Sequence, residues 1–372
     1  MCNVRAFCGN PVPLRKGRDG KTPAYDDLVT RTLRNLRQPP TLLLAAFLLA
    51  PALSGGGAGA PSSAGPHGEA ATALQIAGTA FGGKFEVEVR DLPQAAAEKA
   101  LGAAWDTVVR AERELDRLTG TVGAGKAVLS PDLFSLLARA SSFCTWSDGA
   151  SGAAGGAVYR LWEESARRGA LPTPDRLEEA AATAKCSRLT LQAETRELAL
   201  APGSELDLRG FVRGWAVDLA VQRLLDAGAR NLRVELGPVT RGLGPGPGGK
   251  GWPIFLPTLS ASGNPLSRVL LVDQAIAVAN PELAALSIAG ERILPAFDLR
   301  SGRPATGVSS VAAVTTLAAD AEPLAMAMSV LGANGGQLRL GSLRPRPSVL
   351  WLLGSGDAAV VASSNWSAVR RP

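Results

Sequence analysis

Residues Asp207–Asp218 read DLRGFVRGWAVD, and the rest of the chain is best understood outward from this stretch. Two glycines, two arginines and a carboxylate at each end surround Phe211, Val212 and Trp215. Upstream, RLTLQAETRELAL (188–200) reads as two strands around a tight turn; downstream, Val217, Val221 and Leu224 recur at helical spacing up to Gly228, a C-cap. The stretch is therefore a turn that feeds a helix. Gly210 and Gly214 let backbone approach closely, and a helix start offers unpaired N–H groups suited to anions. Two readings stay open from these residues alone: a cradle for a phosphate-bearing ligand, or a strand–helix corner with solvated arginines.

The chain has 372 residues and is 46% hydrophobic, enough to bury a sizeable core. Its net charge of +6 is concentrated at one end. Residues 1–60 hold eight Lys/Arg against three Asp, leaving 31 basic and 30 acidic residues for the remainder. A nucleic-acid partner needs clustered basic residues on the folded domain, so none is expected. Arg31, Arg34 and Arg37 precede the apolar run TLLLAAFLLAPALS, and small residues follow. This order marks 28–60 as a signal peptide, with cleavage near Ala52/Ser54 or Ala58/Ala60. The run falls short of the roughly 20 residues of a membrane span, so membrane contact is expected only through the signal or a retained N-terminal anchor. Residues 1–27 read as an extension from a start assigned too early or as a long n-region, and 61–72 as a linker. The expected product is exported, periplasmic or otherwise extracytoplasmic.

Cys2 and Cys8 lie in the leader, which leaves Cys144 and Cys186 for the domain. In an oxidising compartment these two could pair, although spacing does not show proximity. The single histidine, His67, falls in the linker. Ser-His and Cys-His catalysis and histidine-ligated metals are thereby excluded from the domain.

Along the domain, Lys84–Arg90 alternates as a strand, and 94–118 carries Leu101, Trp105, Val108 and Leu115 at helical spacing. Ser130 before Pro131 opens another helix. Leu232, Val234 and Leu236 alternate again; 242–251 is a glycine-rich loop before the strand WPIFL. A strand is expected at 268–278 and another at 308–317. A last helix begins near Asp320, with Leu324, Met328 and Leu331 inward and Pro323 tolerated in its first turn. Strands and helices mix without strict alternation, which indicates an α+β protein in preference to a doubly wound sheet.

DLRGFVRGWAVDLAVQRLLDAGARNLRVELG resembles the signature of the FAD:protein FMN transferases, the ApbE family. AGTAFGGKFEVEV (77–89), SDGASGAAGGAVYRLW (147–162), AIAVANPE (275–282) and AFDLRSGRPATGVSSVAAVTTLAADAEPLAMAMSVLG (296–332) are similar to further family segments, in family order. The resemblance covers roughly 73–366, leaving 367–372 as a tail, and implies a single flavin-transferase domain of mixed sheets flanked by helices that splits FAD, releases AMP and attaches FMN through its phosphate to a threonine hydroxyl of an exported or membrane redox protein. It implies Asp320 and the Val212 carbonyl as ligands of Mg²⁺. Gly78, Thr79, Asp207, Gly210, Arg213, Gly214, Asp218, Gly237 and Gly302 are implied on the cofactor side, and Asp298 and Arg300 at the reaction.

Departures from the pattern temper this. Leu324 stands where the family has a ligating threonine, Pro295 where it has a histidine, Gly152 where it has an aspartate and Arg209 where it has a glycine. Pro238, Val239, Val278, Ala279 and Asn280 are further substitutions. One carboxylate and one carbonyl predict a Mg²⁺ site that is weak or absent, since magnesium prefers six oxygens. Plainer roles stand beside the implied ones: Asp320 as a helix N-cap, DLRSG (298–302) as a turn, Arg209 and Arg213 as surface charge, Trp162 and Trp215 as core. The alternative function is a non-catalytic flavin- or nucleotide-binding or interaction protein on the same fold. A third is a structural domain that kept the scaffold and lost the pocket.

Overall fold

The computed structural model describes residues 73–121, 125–256, 267–354 and 359–371. The extension, the signal peptide and the linker expected over 1–72 lie outside the described residues. Among the described residues no helix is long and apolar enough to cross a membrane.

The strands are β1 (Leu74–Ala80), β2 (Gly83–Val89), β3 (Lys126–Val128), β4 (Leu189–Gln192), β5 (Glu197–Leu200), β6 (Leu232–Leu236), β7 (Val239–Leu243), β8 (Trp252–Leu256), β9 (Ser267–Leu271), β10 (Gln274–Ala279), β11 (Leu286–Ile288), β12 (Glu291–Ile293), β13 (Phe297–Asp298), β14 (Arg303–Pro304), β15 (Val308–Thr315), β16 (Ser348–Leu353) and β17 (Val360–Ser364). The helices are α1 (Gln94–Thr121), α2 (Pro131–Trp146), α3 (Gly156–Arg168), α4 (Pro174–Thr183), α5 (Val212–Asp226) and α6 (Ala318–Leu340).

An eight-stranded antiparallel sheet, in the order β1-β2-β6-β7-β10-β15-β16-β17, organises the domain. Period-2 alternation divides its residues between two cores. Val311 and Ala313 of β15, Ala275 and Ala277 of β10, and Val349 and Trp351 of β16 face the helices α1, α5 and α6. Their neighbours Ala312, Val314, Ile276 and Leu350 face Trp252, Leu256, Val269 and Leu271 of the β8–β9 hairpin. A third cluster joins α3 and α4 to Phe297, Leu299 and β11–β12. β1 and β2 meet at a two-residue turn in which Phe81 and Gly82 both have positive φ (48° and 66°), the backbone a tight antiparallel hairpin needs.

Most expected elements are present: β2, α1, the Ser130-capped α2, the β4–β5 hairpin, α5 ending before Gly228 (φ 96°), and β6. Four expectations are corrected. The 268–278 strand is two, because Asp273 adopts φ 54° and sends β9 to the hairpin and β10 to the main sheet. The 242–251 loop begins two residues late, since Gly242 and Leu243 complete β7. Pro323 lies in the second turn of α6, which starts at Ala318. The 367–372 tail is partly built into the domain: Val369 is buried against the hairpin, and the Arg370 carbonyl accepts from Leu270 N at 3.0 Å.

Candidate functional site

Four separate stretches line one small pocket, namely the loop after α2 (Ser151, Gly152), the turn before α5 (Asp207–Phe211), Phe297 and Leu299 at β13, and Met326 and Val330 of α6, and beside it the starts of α5 and α6 meet. Gly214 makes the meeting possible. A Cβ there would collide with the Ala318 carbonyl, so only glycine lets the two helix starts touch. Gly210 faces Met326 in the same way, its would-be Cβ lying 3.0 Å from Met326 Cγ. Both glycines let the segment that opens α5 approach α6 closely.

The charged groups here are coupled in pairs. Asp218 on α5 accepts from the backbone N–H groups of Ala318 and Ala319 at 3.1 and 2.9 Å, and from Arg241 at 2.7 Å. It therefore caps α6, one of the two roles read for Asp320; Leu317 holds the N-cap position, and Asp320 lies in the first turn. Burial pushes the Asp218 carboxyl up, against the pull of Arg241 and the two N–H groups. Asp320 pairs with Arg139 of α2. Glu322, one helical step further in, accepts from Gly214 N at 2.8 Å and lies 3.9 Å from Arg213 Nη1. Burial raises its carboxyl to about 7, opposed by Arg213 and the Gly214 N–H. The Arg213 Nε is buried without a hydrogen-bond partner, and its Cδ lies against Gly237, which has φ 57° in the β6–β7 turn.

The same pattern holds in the neighbouring turns. Asp207 accepts from Arg209 N at 3.0 Å and from Arg209 Nε at 2.6 Å. Arg209 also reaches Glu163 at 3.1 Å and lies over the Tyr159 ring at 4.3 Å. Asp298 accepts from Arg300 N, Nε and Nη2 at 2.7–3.2 Å. Gly302, at φ 70°, closes this turn by donating to the Asp298 carbonyl at 2.8 Å and accepting from Trp162 Nε1 at 2.7 Å. DLRSG is accordingly a built turn docked on α3, with Trp162 stacked on Phe297 in the core.

Among the expected site residues, Asp207 and Gly210 share the pocket with Phe297 and Leu299 at the head of the 298–302 turn, and Arg213, Gly214 and Asp218 meet the first turns of α6, where Asp320 lies. Gly237 joins them through Arg213. Gly78 lies apart, under the Trp105 ring, where a Cβ would come within 2.5 Å of it; Thr79 is exposed on edge strand β1. Trp215 is core, touching Phe81 edge-on. The pocket between Tyr159, Arg209, Phe297 and Met326 has a volume of about 20 Å³, room for one water.

The residues do not assemble a magnesium site. Leu324 is 1% exposed and carries no oxygen, Asp320 is taken by Arg139, and the Val212 carbonyl belongs to the first residue of α5. Among the described residues no three His, Cys, Asp or Glu side chains gather around a common point.

Cys144 and Cys186 form a disulfide with Cα atoms 5.7 Å apart. It explains one departure: a Cβ at Gly152 would lie 2.7 Å from Cys144 Sγ, so an aspartate has no space there. Sequence reasoning missed Arg139, Arg241 and Glu322. Only Glu322 left a local signal, an acid among Ala318, Ala325 and Ser329 on a buried helical stripe.

The profile of the ApbE family matches residues 81–347. An FAD:protein FMN transferase of Treponema pallidum is 33% identical over 135 residues, which is 34% of this chain and 37% of that protein. The chain thus spans little more than a third of that relative's length. An FAD:protein FMN transferase of Vibrio cholerae serotype O1 is 24% identical over 277 residues, 71% of this chain and 83% of that protein. The crystal structure of the ApbE protein of Thermotoga maritima superposes with a TM-score of 0.71 at 20% identity, covering 81% of this chain and all of that one. At that identity the superposition speaks for the fold.

Proposed function

The chain belongs to the ApbE family, and from that premise we propose that it takes FAD as a substrate and passes FMN to a protein acceptor. In this proposal a threonine hydroxyl oxygen of an exported or membrane redox protein bonds to the FMN phosphorus. The phosphoanhydride bond to AMP breaks, the hydroxyl gives up its proton, and AMP leaves with the bridging oxygen. The observation that carries the reading is that Asp207, Gly210 and Phe211 line one small pocket with Phe297, Leu299 and Met326, while Arg213 and Gly214, a turn further on, meet the start of α6. Asp207, Gly210, Arg213, Gly214, Asp218, Gly237 and Gly302 form the nucleotide side; Asp298 and Arg300 form the acceptor side. Arg213 must exchange its carboxylate neighbour for a phosphate when FAD enters. No step is routed through magnesium, because the residues at Asp320 do not fit it.

Export remains part of the proposal, and the Cys144–Cys186 disulfide supports it, since such bonds persist in oxidising compartments. A second reading, a flavin- or nucleotide-binding protein without transfer, is favoured by the filled pocket and the internally paired charges. Incubation with FAD and a threonine-bearing acceptor separates the two. Covalent flavin fluorescence on the acceptor, with equimolar AMP, supports transfer. FAD bound by the protein beside an unlabelled acceptor supports the second reading.

A further inference from the structure

The Arg139–Asp320 contact joins residues 181 positions apart, from the middle of α2 to the first turn of α6. The far end of α2 is tied to the chain beyond the Gly332 kink in α6 by two further bonds: Arg339 donates to the Trp146 carbonyl at 2.7 Å, and Trp146 Nε1 donates to Ser342 Oγ, just past the end of α6, at 3.1 Å. The guanidinium is thus carried on a helix anchored at its C-terminal end. Around it every carboxyl has a guanidinium neighbour: Asp320 has Arg139, Glu322 has Arg213 and Asp218 has Arg241. A divalent ion needs surplus carboxylate and several oxygens, yet each acid here already has a cation. The next turn offers Leu324, and an added ion beside Asp320 would face Arg139 at close range. The pair is also open. Its side chains are 32% and 34% exposed, against 13% and 18% for Arg241–Asp218, so a ligand from solvent can reach it.

We propose that Arg139 is the resident cation of the Asp320 site: its guanidinium stands in place of a divalent metal and meets the phosphates of a dinucleotide directly. The phosphate half of this assignment rests on the flavin reading above; the metal half does not. A planar guanidinium offers paired N–H donors that match phosphate oxygens. Binding then needs no metal, and Arg139 sets affinity for the phosphoanhydride.

Two measurements on the purified protein test it. Electron paramagnetic resonance with Mn²⁺ as the probe, in buffer stripped of other metals, is expected to show no saturable binding up to about 1 mM, with or without FAD. One Mn²⁺ per chain bound in the micromolar range and released by Asp320→Asn overturns the assignment. Flavin fluorescence titration is expected to give the same Kd for FAD, within about twofold, in EDTA and in Mg²⁺, and a Kd about tenfold weaker for Arg139→Gln. Arg139→Lys, which keeps the charge, should fall between the two. A tenfold tightening by Mg²⁺, or an Arg139→Gln variant with unchanged Kd, overturns it. Absence of FAD binding in every buffer overturns the flavin reading and the phosphate half with it, while the Mn²⁺ signal judges the metal half separately.

Discussion

Gly214 and Glu322 bind each other where two helices begin, the backbone N–H of one donating to the carboxylate of the other at 2.8 Å. The carboxylate is buried, and its folded value of about 7 exceeds the ordinary 4.5. Below pH 4.5 both folded and unfolded chains hold the proton, and its contribution to stability is fully present. As pH rises towards 7 the unfolded chain ionises while the folded one keeps its proton, so stability falls by about 3 kcal/mol in all. Urea denaturation should show this decline between pH 5 and 8. Glu322→Gln should flatten it and exceed the wild type in stability at pH 8; parallel profiles for the two proteins would contradict the assignment.

Gly214→Ala places a methyl group against the Ala318 carbonyl, a backbone atom that cannot swing away. The expected loss is about 2–3 kcal/mol, the usual cost of overpacking. Gly102→Ala, in α1 with nothing within 4 Å of its would-be Cβ, is the control. It should gain about 0.5–1 kcal/mol from helix propensity. Chemical denaturation of both variants measures the contrast.

The Cys144–Cys186 link closes a loop of 42 residues in sequence separation. Chain entropy gives it about 4 kcal/mol, and measured disulfides commonly give about 2–4. Cys186→Ser should lower the melting temperature, and reduced wild type should melt with the variant. Dithiothreitol should leave the variant itself unmoved.

Arg209 closes the Tyr159–Phe297 pocket while bound to Asp207, Glu163 and the Tyr159 ring. A planar ring entering there must first displace it. Partly exposed ion pairs and a cation–π contact together amount to about 1–2 kcal/mol, so Arg209→Gly should bind FAD about tenfold more tightly. Quenching of flavin fluorescence on titration reads this directly, and equal affinities would show that the ligand avoids this slot.

Local pattern made much of the scaffold legible. The alternation Leu232–Val234–Leu236, the stripe Val217–Val221–Leu224 and the Ser130–Pro131 start depend on neighbours in the chain, and the structure has them. The split at Asp273 was hidden because a left-handed residue other than glycine leaves apolar alternation undisturbed. The charge pairs were hidden for a different reason. Asp218 reaches Ala318 across 100 residues, and Arg139 reaches Asp320 across 181. Segment order led to the family and to the residues that converge, whereas their partners depend on how α2, α5 and α6 pack.

The most direct measurement is mass spectrometry of a threonine-bearing acceptor after incubation with this protein and FAD. The account predicts one FMN joined to a threonine through phosphate, with one AMP released for each acceptor modified. An acceptor of unchanged mass, recovered beside protein that has demonstrably bound FAD, would contradict transfer and leave a flavin-binding relative in its place.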